Sequence, residues 1–108
     1  MTPDPPELII RASVEGDTTT LVLAGEIDLL TSTQLNRELD MALDHEPPPS
    51  ALRLELADVV FMDTTGVAVL LKARRRALEI DCRFTVISTS PAIARLFEIT
   101  GLAGLLTE

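Results

Sequence analysis

The sequence is poor in the side chains on which most enzyme and metal sites depend. Its 108 residues include no tryptophan, no tyrosine, one cysteine and one histidine. A metal site usually draws on several histidine, cysteine or carboxylate ligands, and a serine–histidine–aspartate triad would need His45 as its base. His45 lies beside a proline loop and is remote in sequence from Cys82. We expect His45 at the surface, Cys82 buried as a small apolar side chain, and neither a catalytic site nor a cofactor or metal.

Basic residues are also scarce. Nine Lys and Arg stand against seventeen Asp and Glu, which gives a net charge of −8. Nucleic-acid binding usually shows a basic footprint, so we expect no nucleic-acid partner. Four basic residues cluster within positions 72–76, which indicates a solvated helix face in preference to a phosphate-binding or partner-facing patch. The three aromatic residues are expected in the core rather than in a base-stacking platform: Phe61, Phe84 and Phe97.

No apolar stretch approaches the roughly 20 residues that cross a bilayer. The N-terminal MTPDPPE has prolines and acids where a signal peptide would have positive charge and an apolar run. The single cysteine cannot form an internal disulfide. We therefore expect a cytoplasmic protein without membrane insertion, with a flexible tail over residues 1–7 and one domain over residues 8–108.

Apolar spacing predicts the order strand, strand, helix, strand, helix, strand, helix. LIIRASV and TTLVLAGEID flank the turn EGDT and predict an antiparallel pair, while ALRLELA and CRFTVIS predict two later strands that alternate with helices. Such alternation favours parallel pairing. The fold class is α/β, a small mixed sheet with helices packed on it, and GLLTE at the end could add a short strand.

Helix boundaries are marked by capping patterns. Thr31 with Gln34 matches a capping box at the start of the first helix. Ser90 before Pro91 predicts the start of the third helix, and Gly101 predicts its end. The inward face of the second helix is expected to carry four side chains: Val67, Leu70, Leu71 and Leu78.

The densest cluster of polar side chains is Asp63-Thr64-Thr65-Gly66, at a predicted strand-to-helix corner. The first N–H groups of a helix have no intrahelical partner and favour negative charge, so they could receive a phosphate carried by Thr64. The simpler interpretation is helix capping by Asp63 or Thr64. Gly66 in the first turn suggests a close approach to the backbone. Asp28, at another strand end, could form an acid–base pair with Asp63, although a capping role is favoured for Asp63.

Three segments resemble a known family: LAGEIDLLTSTQL, FMDTTGVAVLL and STSPAIARLFEITGL. They are similar to the STAS domain of bacterial anti-sigma factor antagonists, in the same order and spacing, and the resemblance runs from about residue 8 to 106. The resemblance implies a STAS-type single domain. It also implies a non-enzymatic switch protein, whose unphosphorylated form binds an anti-sigma factor and so releases a sigma factor.

The resemblance also implies partners and site residues. The anti-sigma factor would be a serine/threonine kinase that phosphorylates Thr64, in preference to Thr65, and a PP2C-type phosphatase would reverse the reaction. Asp28, Asp63, Thr64, Thr65 and Gly66 would belong to the partner-binding surface. The short C-terminus raises the prospect of a homodimer. The alternative is a STAS subunit of another assembly, such as a lipid ABC transporter or a stress-signalling scaffold. Nucleotide binding is disfavoured because no phosphate-binding loop is found.

Overall fold

A computed structural model describes residues 7–106, with the side chains of residues 105 and 106 excluded. The predicted tail over residues 1–7 therefore lies outside the described residues except for Glu7, which precedes the first strand. The eight elements, in chain order, are β1 (Ile9–Glu15), β2 (Thr18–Ile27), α1 (Thr31–Leu43), β3 (Ala51–Met62), α2 (Thr64–Glu79), β4 (Arg83–Thr89), α3 (Pro91–Thr100) and α4 (Ala103–Leu106).

The four strands form one mixed sheet in the order β1-β2-β3-β4. β1 and β2 are antiparallel and are joined by a two-residue turn at which Gly16 has a φ of 63°. β2, β3 and β4 are parallel neighbours. The predicted α/β class, the opening hairpin and the parallel βα units are thus confirmed.

Helices α1 and α2 pack against each other and against the sheet. Both crossovers, β2-α1-β3 and β3-α2-β4, step in the same direction along the sheet, and right-handed crossovers then place both helices on one face. The core lies beneath them. Its fully buried side chains include Leu21 and Leu23 of β2, Leu52, Leu54 and Leu56 of β3, Leu35 and Leu39 of α1, and Leu70 of α2.

Strand β3 is longer than the alternating ALRLELA segment indicated, and its alternation of buried and exposed residues shifts by one residue after Leu56 and again after Val59. Val59 and Met62 are buried next, whereas Val60 and Phe61 are 62% and 47% exposed. The pairing of β2 with β3 is irregular in the same region. The prediction that Phe61 is a core residue is therefore wrong, although Phe84 and Phe97 are buried as expected.

Two expectations about the helices are also wrong. Thr31 and Gln34 form no capping box, because Thr31 is the first helical residue and the Gln34 side-chain amide donates to the Leu8 carbonyl at 3.0 Å. Leu78 is 57% exposed, and smaller residues pack in its place: Gly66, Ala73 and Ala77. The third helix agrees with its prediction, since the Ser90 hydroxyl accepts from the Ile93 amide and Gly101 adopts a left-handed conformation.

The end of the chain and the basic cluster also depart from expectation. Residues 103–106 form a short helix, so the strand suggested by GLLTE is wrong for its described part, and residues 107 and 108 lie outside it. Arg76 does not belong to a freely solvated face, because its guanidinium forms ion pairs with Asp40 of α1 and with Asp44, the residue that follows α1. His45 is exposed and Cys82 is buried, as predicted. None of the helices within residues 7–106 could span a membrane.

Candidate functional site

The corner formed by residues 63–66 lies at the end of the sheet where the parallel strands β2 and β3 terminate. The Asp63 amide donates to the Ile27 carbonyl at 3.1 Å, which ties the end of β3 to the end of β2. Helices α1 and α2 both begin at this end of the sheet. The topology therefore brings Asp28 beside Asp63, as their positions at strand ends suggested.

Asp63 caps helix α2. One oxygen of its carboxylate accepts from the Thr65 amide at 2.9 Å and from the Gly66 amide at 3.3 Å. Its backbone carbonyl accepts from the Gly66 and Val67 amides at 3.1 and 3.2 Å. The capping interpretation of Asp63 is confirmed. The expectation that the first-turn amides are free for a phosphate is wrong at residues 65–67, because Asp63 already satisfies them.

The two threonines occupy different environments. The Thr65 hydroxyl is half-buried and donates to the Asp63 carboxylate. The Thr64 side chain is exposed, and within residues 7–106 no group is hydrogen-bonded to its hydroxyl. Of the two hydroxyls, that of Thr64 is therefore free to meet another molecule, while that of Thr65 supports the cap.

Asp28 organises the start of helix α1 in a similar way. Its carboxylate accepts from the Leu30 and Thr31 amides at 3.0 and 2.9 Å. In return, the Asp28 amide donates to the Thr31 hydroxyl at 2.9 Å, and that hydroxyl donates to the Glu26 carbonyl at 2.8 Å. These bonds hold the loop between β2 and α1 in a defined shape beside Asp63.

Both carboxylates stay ionised at neutral pH. The Thr31 amide holds the pKa of Asp28 below its ordinary value of 3.8, against a smaller raising effect of the Asp63 charge. The Thr65 hydroxyl, with the amides of Thr65 and Gly66, lowers the pKa of Asp63 in the same way. A general acid near neutral pH needs a raised pKa. The two side chains are thus a fixed negative surface rather than a proton-transfer pair.

Gly66 is buried beneath the corner. A Cβ atom at this position would lie 2.6 Å from Cγ of Met62 and 2.7 Å from Cγ2 of Ile27. The close approach suggested by the glycine is therefore made by the protein's own core. Gly66 positions the first turn of α2 against the strand ends.

Exposed apolar side chains lie close in the chain to Asp28 and Asp63, and the sequence analysis did not predict their exposure. Leu29 and Leu30 are 70% and 83% exposed in the loop before α1. Phe61 and Val60 line a groove against α3 together with Leu96 and Ile99. The sequence signals for these exposed residues are weak. Leu29 and Leu30 lie just before the apolar pattern of α1 begins. Val60 and Phe61 follow the point in β3 where the alternation of buried residues shifts. We refer to Leu29, Leu30, Val60 and Phe61 as the apolar rim of the corner.

The chain as a whole matches a known protein family. The family model described as "Mlab, STAS domain" matches residues 10–107. The chain therefore belongs to the STAS family.

The chain is also similar to individual proteins of known name. The anti-sigma-B factor antagonist of Listeria monocytogenes is 31% identical over 86 residues, which cover 80% of this chain and 74% of that protein. An anti-sigma factor antagonist from Mycobacterium paratuberculosis superposes with a TM-score of 0.80 at 23% identity, covering 93% of this chain and 83% of the other.

The anti-sigma factor antagonist SpoIIAA is similar to this chain in two states. Its unphosphorylated form gives a TM-score of 0.78 at 20% identity over 92% of this chain and 86% of its own. Its phosphorylated form from Bacillus gives 0.72 at 21% identity over 92% and 89%. At these identities the solved structures establish the common fold.

Proposed function

We propose that this protein is an anti-sigma factor antagonist that is switched off by phosphorylation of Thr64. The unphosphorylated form binds an anti-sigma factor and thereby releases a sigma factor. The anti-sigma factor is also the serine/threonine kinase, and a PP2C-type phosphatase restores the active form. The protein itself catalyses no reaction and acts in the cytoplasm through its STAS domain, residues 8–108.

The contrast between the two threonines carries this proposal. Thr64 is exposed with a free hydroxyl, whereas the Thr65 hydroxyl is committed to Asp63 within the described part of the chain. A kinase needs an accessible hydroxyl, and removing the Thr65 hydroxyl from Asp63 would weaken the cap of α2. Thr64 is therefore the acceptor that can be modified without cost to the fold.

The charge around Thr64 explains how the modification would act. A phosphate adds about −1.5 to −2 charges beside the ionised Asp28 and Asp63. Because Asp63 occupies the amides of residues 65 and 66, they cannot neutralise the phosphate without giving up the cap. The new charge instead faces the partner. A loss of about 3 kcal/mol at the interface corresponds to about 100-fold weaker binding, which suffices for a switch.

The rim of the corner supports a protein partner. Leu29, Leu30 and Phe61 are exposed and lie within two residues of Asp28 or Asp63 in the chain. Specific protein interfaces combine apolar contact area with a limited number of polar contacts. Asp28, Asp63 and Thr64 would supply the polar contacts, and Thr65 and Gly66 would hold them in place from within.

One observation favours a second candidate function. The matching family model carries the name Mlab rather than that of an antagonist. The chain could then serve as the STAS subunit of another assembly, such as a lipid ABC transporter. Such a subunit needs no acceptor hydroxyl after Asp63, so phosphorylation distinguishes the two functions.

The proposed function is tested by mapping phosphate on the protein isolated from its own host. We expect phosphate on Thr64 by peptide mass spectrometry, its loss in Thr64→Ala, and its retention in Thr65→Ala. Thr64→Asp should bind the anti-sigma factor kinase of that host about 100-fold more weakly than the unmodified protein does.

Two results would contradict the proposal. One is an unmodified Thr64 during both growth and stress, together with co-purification of membrane transporter subunits, which would favour the second candidate. The other is a Thr64→Asp variant that binds the kinase as tightly as wild type. Thr64→Ser is the matched control, because it keeps the hydroxyl and should remain a substrate.

A further inference from the structure

We propose that two copies of this chain associate by antiparallel pairing of their β1 strands, centred on Ser13. The inference is independent of the proposed function, because it concerns the end of the sheet remote from Thr64. It rests on three properties of β1: an unpaired edge, a self-complementary charge pattern and an apolar groove beside the strand.

β1 is an open edge of the sheet. It pairs with β2 alone, and within residues 7–106 no strand or helix covers its outer side. Six of its seven residues are exposed, with Ile9 57% and Val14 70% accessible. Exposed edge strands present unpaired N–H and C=O groups to other chains and are normally protected by charged side chains, proline, bulges or short length. β1 has no proline and pairs regularly with β2 along its whole length.

The charges of β1 match a second copy in one register. When Ser13 faces Ser13 of the second copy, Arg11 lies opposite Glu15 of that copy, and Glu15 lies opposite Arg11. All three side chains share one face of the strand, since they alternate with Ala12 and Val14. Opposite charges facing each other across antiparallel strands stabilise the pairing, whereas like charges destabilise it. The register therefore gains two ion pairs and places no like charges directly opposite.

The other face of β1 supplies apolar contacts in the same register. Ala12 then pairs with Val14 of the second copy, and Val14 with Ala12. These two side chains line a groove of about 350 Å³ with Leu21, Met41 and the prolines that follow α1. Met41 is 61% exposed at its rim. Pairing of the strands would join the two grooves and cover Val14 and Met41 in both copies, in an eight-stranded sheet.

The pairing leaves the candidate site free. The turn after β1 lies at the end of the sheet where β2 and β3 begin, while Thr64 follows the end of β3. A dimer joined at Ser13 would therefore present two accessible Thr64 corners. Variants that break the dimer should not prevent phosphorylation of Thr64, which separates this inference from the proposed function.

Charge reversal tests the register. In sedimentation velocity experiments, the full chain should show a reversible monomer–dimer equilibrium. Arg11→Glu places like charges opposite each other twice and should weaken the dimer about tenfold or more. The double variant Arg11→Glu with Glu15→Arg restores both pairs and should recover the wild-type affinity. Arg83→Glu makes the same charge change at the start of β4, the opposite edge of the sheet, and should leave the dimer unchanged.

A cysteine cross-link tests the contact directly. Ser13→Cys should form a disulfide-linked dimer under mild oxidation, because residues facing each other on antiparallel strands lie within disulfide range. Ile9→Cys is the control, since the proposed register sets the two copies of that residue eight positions apart. The native Cys82 is buried and should not contribute.

The outcomes are decisive in both directions. A dimer that is weakened by Arg11→Glu, rescued by the double variant and trapped by Ser13→Cys supports the inference. A monomer at every concentration overturns it. It is equally overturned if Arg83→Glu weakens the dimer as much as Arg11→Glu does, or if Ile9→Cys cross-links as readily as Ser13→Cys. Circular dichroism of each variant ensures that a lost dimer is not a lost fold.

Discussion

The amide of Asp63 donates to the carbonyl of Ile27 at 3.1 Å, and this bond joins the ends of two parallel strands. Each strand is followed at once by an aspartate that caps or organises a helix, so the bond sets Asp28 and Asp63 side by side. The corner that carries Thr64 is thus built from backbone and carboxylate contacts, without help from the Thr64 hydroxyl. We therefore expect that a modification of the Thr64 hydroxyl would leave these contacts intact.

The different environments of the two threonines predict different effects on stability. Thr65→Val keeps the branched shape but removes the hydroxyl that donates to Asp63. We expect it to lower the free energy of unfolding by about 1 kcal/mol. Thr64→Val removes an exposed hydroxyl and should change stability by less than about 0.5 kcal/mol. Urea denaturation of both variants measures the difference, and equal effects would contradict the assignment.

Gly66 predicts a packing defect. In Gly66→Ala the new methyl group would lie 2.6 Å from Cγ of Met62 and 2.7 Å from Cγ2 of Ile27. Alanine gains about 1 kcal/mol of helix propensity over glycine, but overpacking typically costs about 1–3 kcal/mol. We expect a net loss of up to about 2 kcal/mol in chemical denaturation. Gly104→Ala is the control, because nothing lies within 4 Å of its added Cβ, and a similar loss there would argue against the steric explanation.

Much of the fold could be predicted because its signals are local. The hairpin turn, the leucine alternation of β3 and the Ser90–Pro91 helix start depend on neighbouring residues, and all three are found in the structure. The exposure of Phe61 could not be predicted in this way. It follows from a shift of the inward period in β3, where the pairing with β2 becomes irregular, and that pairing is a tertiary property.

The proximity of Asp28 to Asp63 could be predicted from the sequence, but most of the contacts at the corner could not. Spacing indicated that Asp63 caps α2, yet the apparent capping box of Thr31 and Gln34 does not form. Asp28 accepts from the Leu30 and Thr31 amides instead, and the Gln34 side-chain amide donates to the carbonyl of Leu8, a tertiary contact just before β1. Likewise Gly66 signalled a close approach, but only the tertiary structure identifies Ile27 and Met62 as the groups that approach.

The lowered pKa values of Asp28 and Asp63 predict a loss of stability in acid. Because their folded-state pKa values lie below 3.8, both groups stabilise the fold above that pH. Their contribution disappears as the pH falls through the folded-state values. Urea midpoints measured from about pH 6 down to pH 2.5 should therefore fall less steeply below pH 4 in Asp63→Asn, which can still cap the helix. Parallel curves for the variant and the wild type would contradict the assignment.

The ion pairs of Arg76 should make a salt-sensitive contribution to the packing of α2 against α1. Its guanidinium pairs with Asp44, the C-cap residue of α1, and with Asp40 within α1, and these carboxylates raise its pKa. The pairs are partly exposed, so Arg76→Gln should cost only about 0.5–1 kcal/mol at low salt. The loss should shrink in 1 M salt, where the Debye length is about 3 Å. Arg75→Gln, at an exposed neighbouring position, removes the same charge and should have little effect on thermal or chemical unfolding.

The apolar rim predicts a separation of binding from stability. Leu30 is 83% exposed beside the Asp28 loop, so Leu30→Ser should leave the unfolding midpoint unchanged or slightly higher. Under the proposed function, it removes an apolar contact at the interface and should weaken binding of the anti-sigma factor about tenfold. Leu78→Ser, 57% exposed near the far end of α2, is the matched control and should bind normally. Calorimetric titration of the unphosphorylated forms gives the affinities. If both variants bound as the wild type does, the rim would not contact the partner and the interface would have to lie elsewhere on the domain.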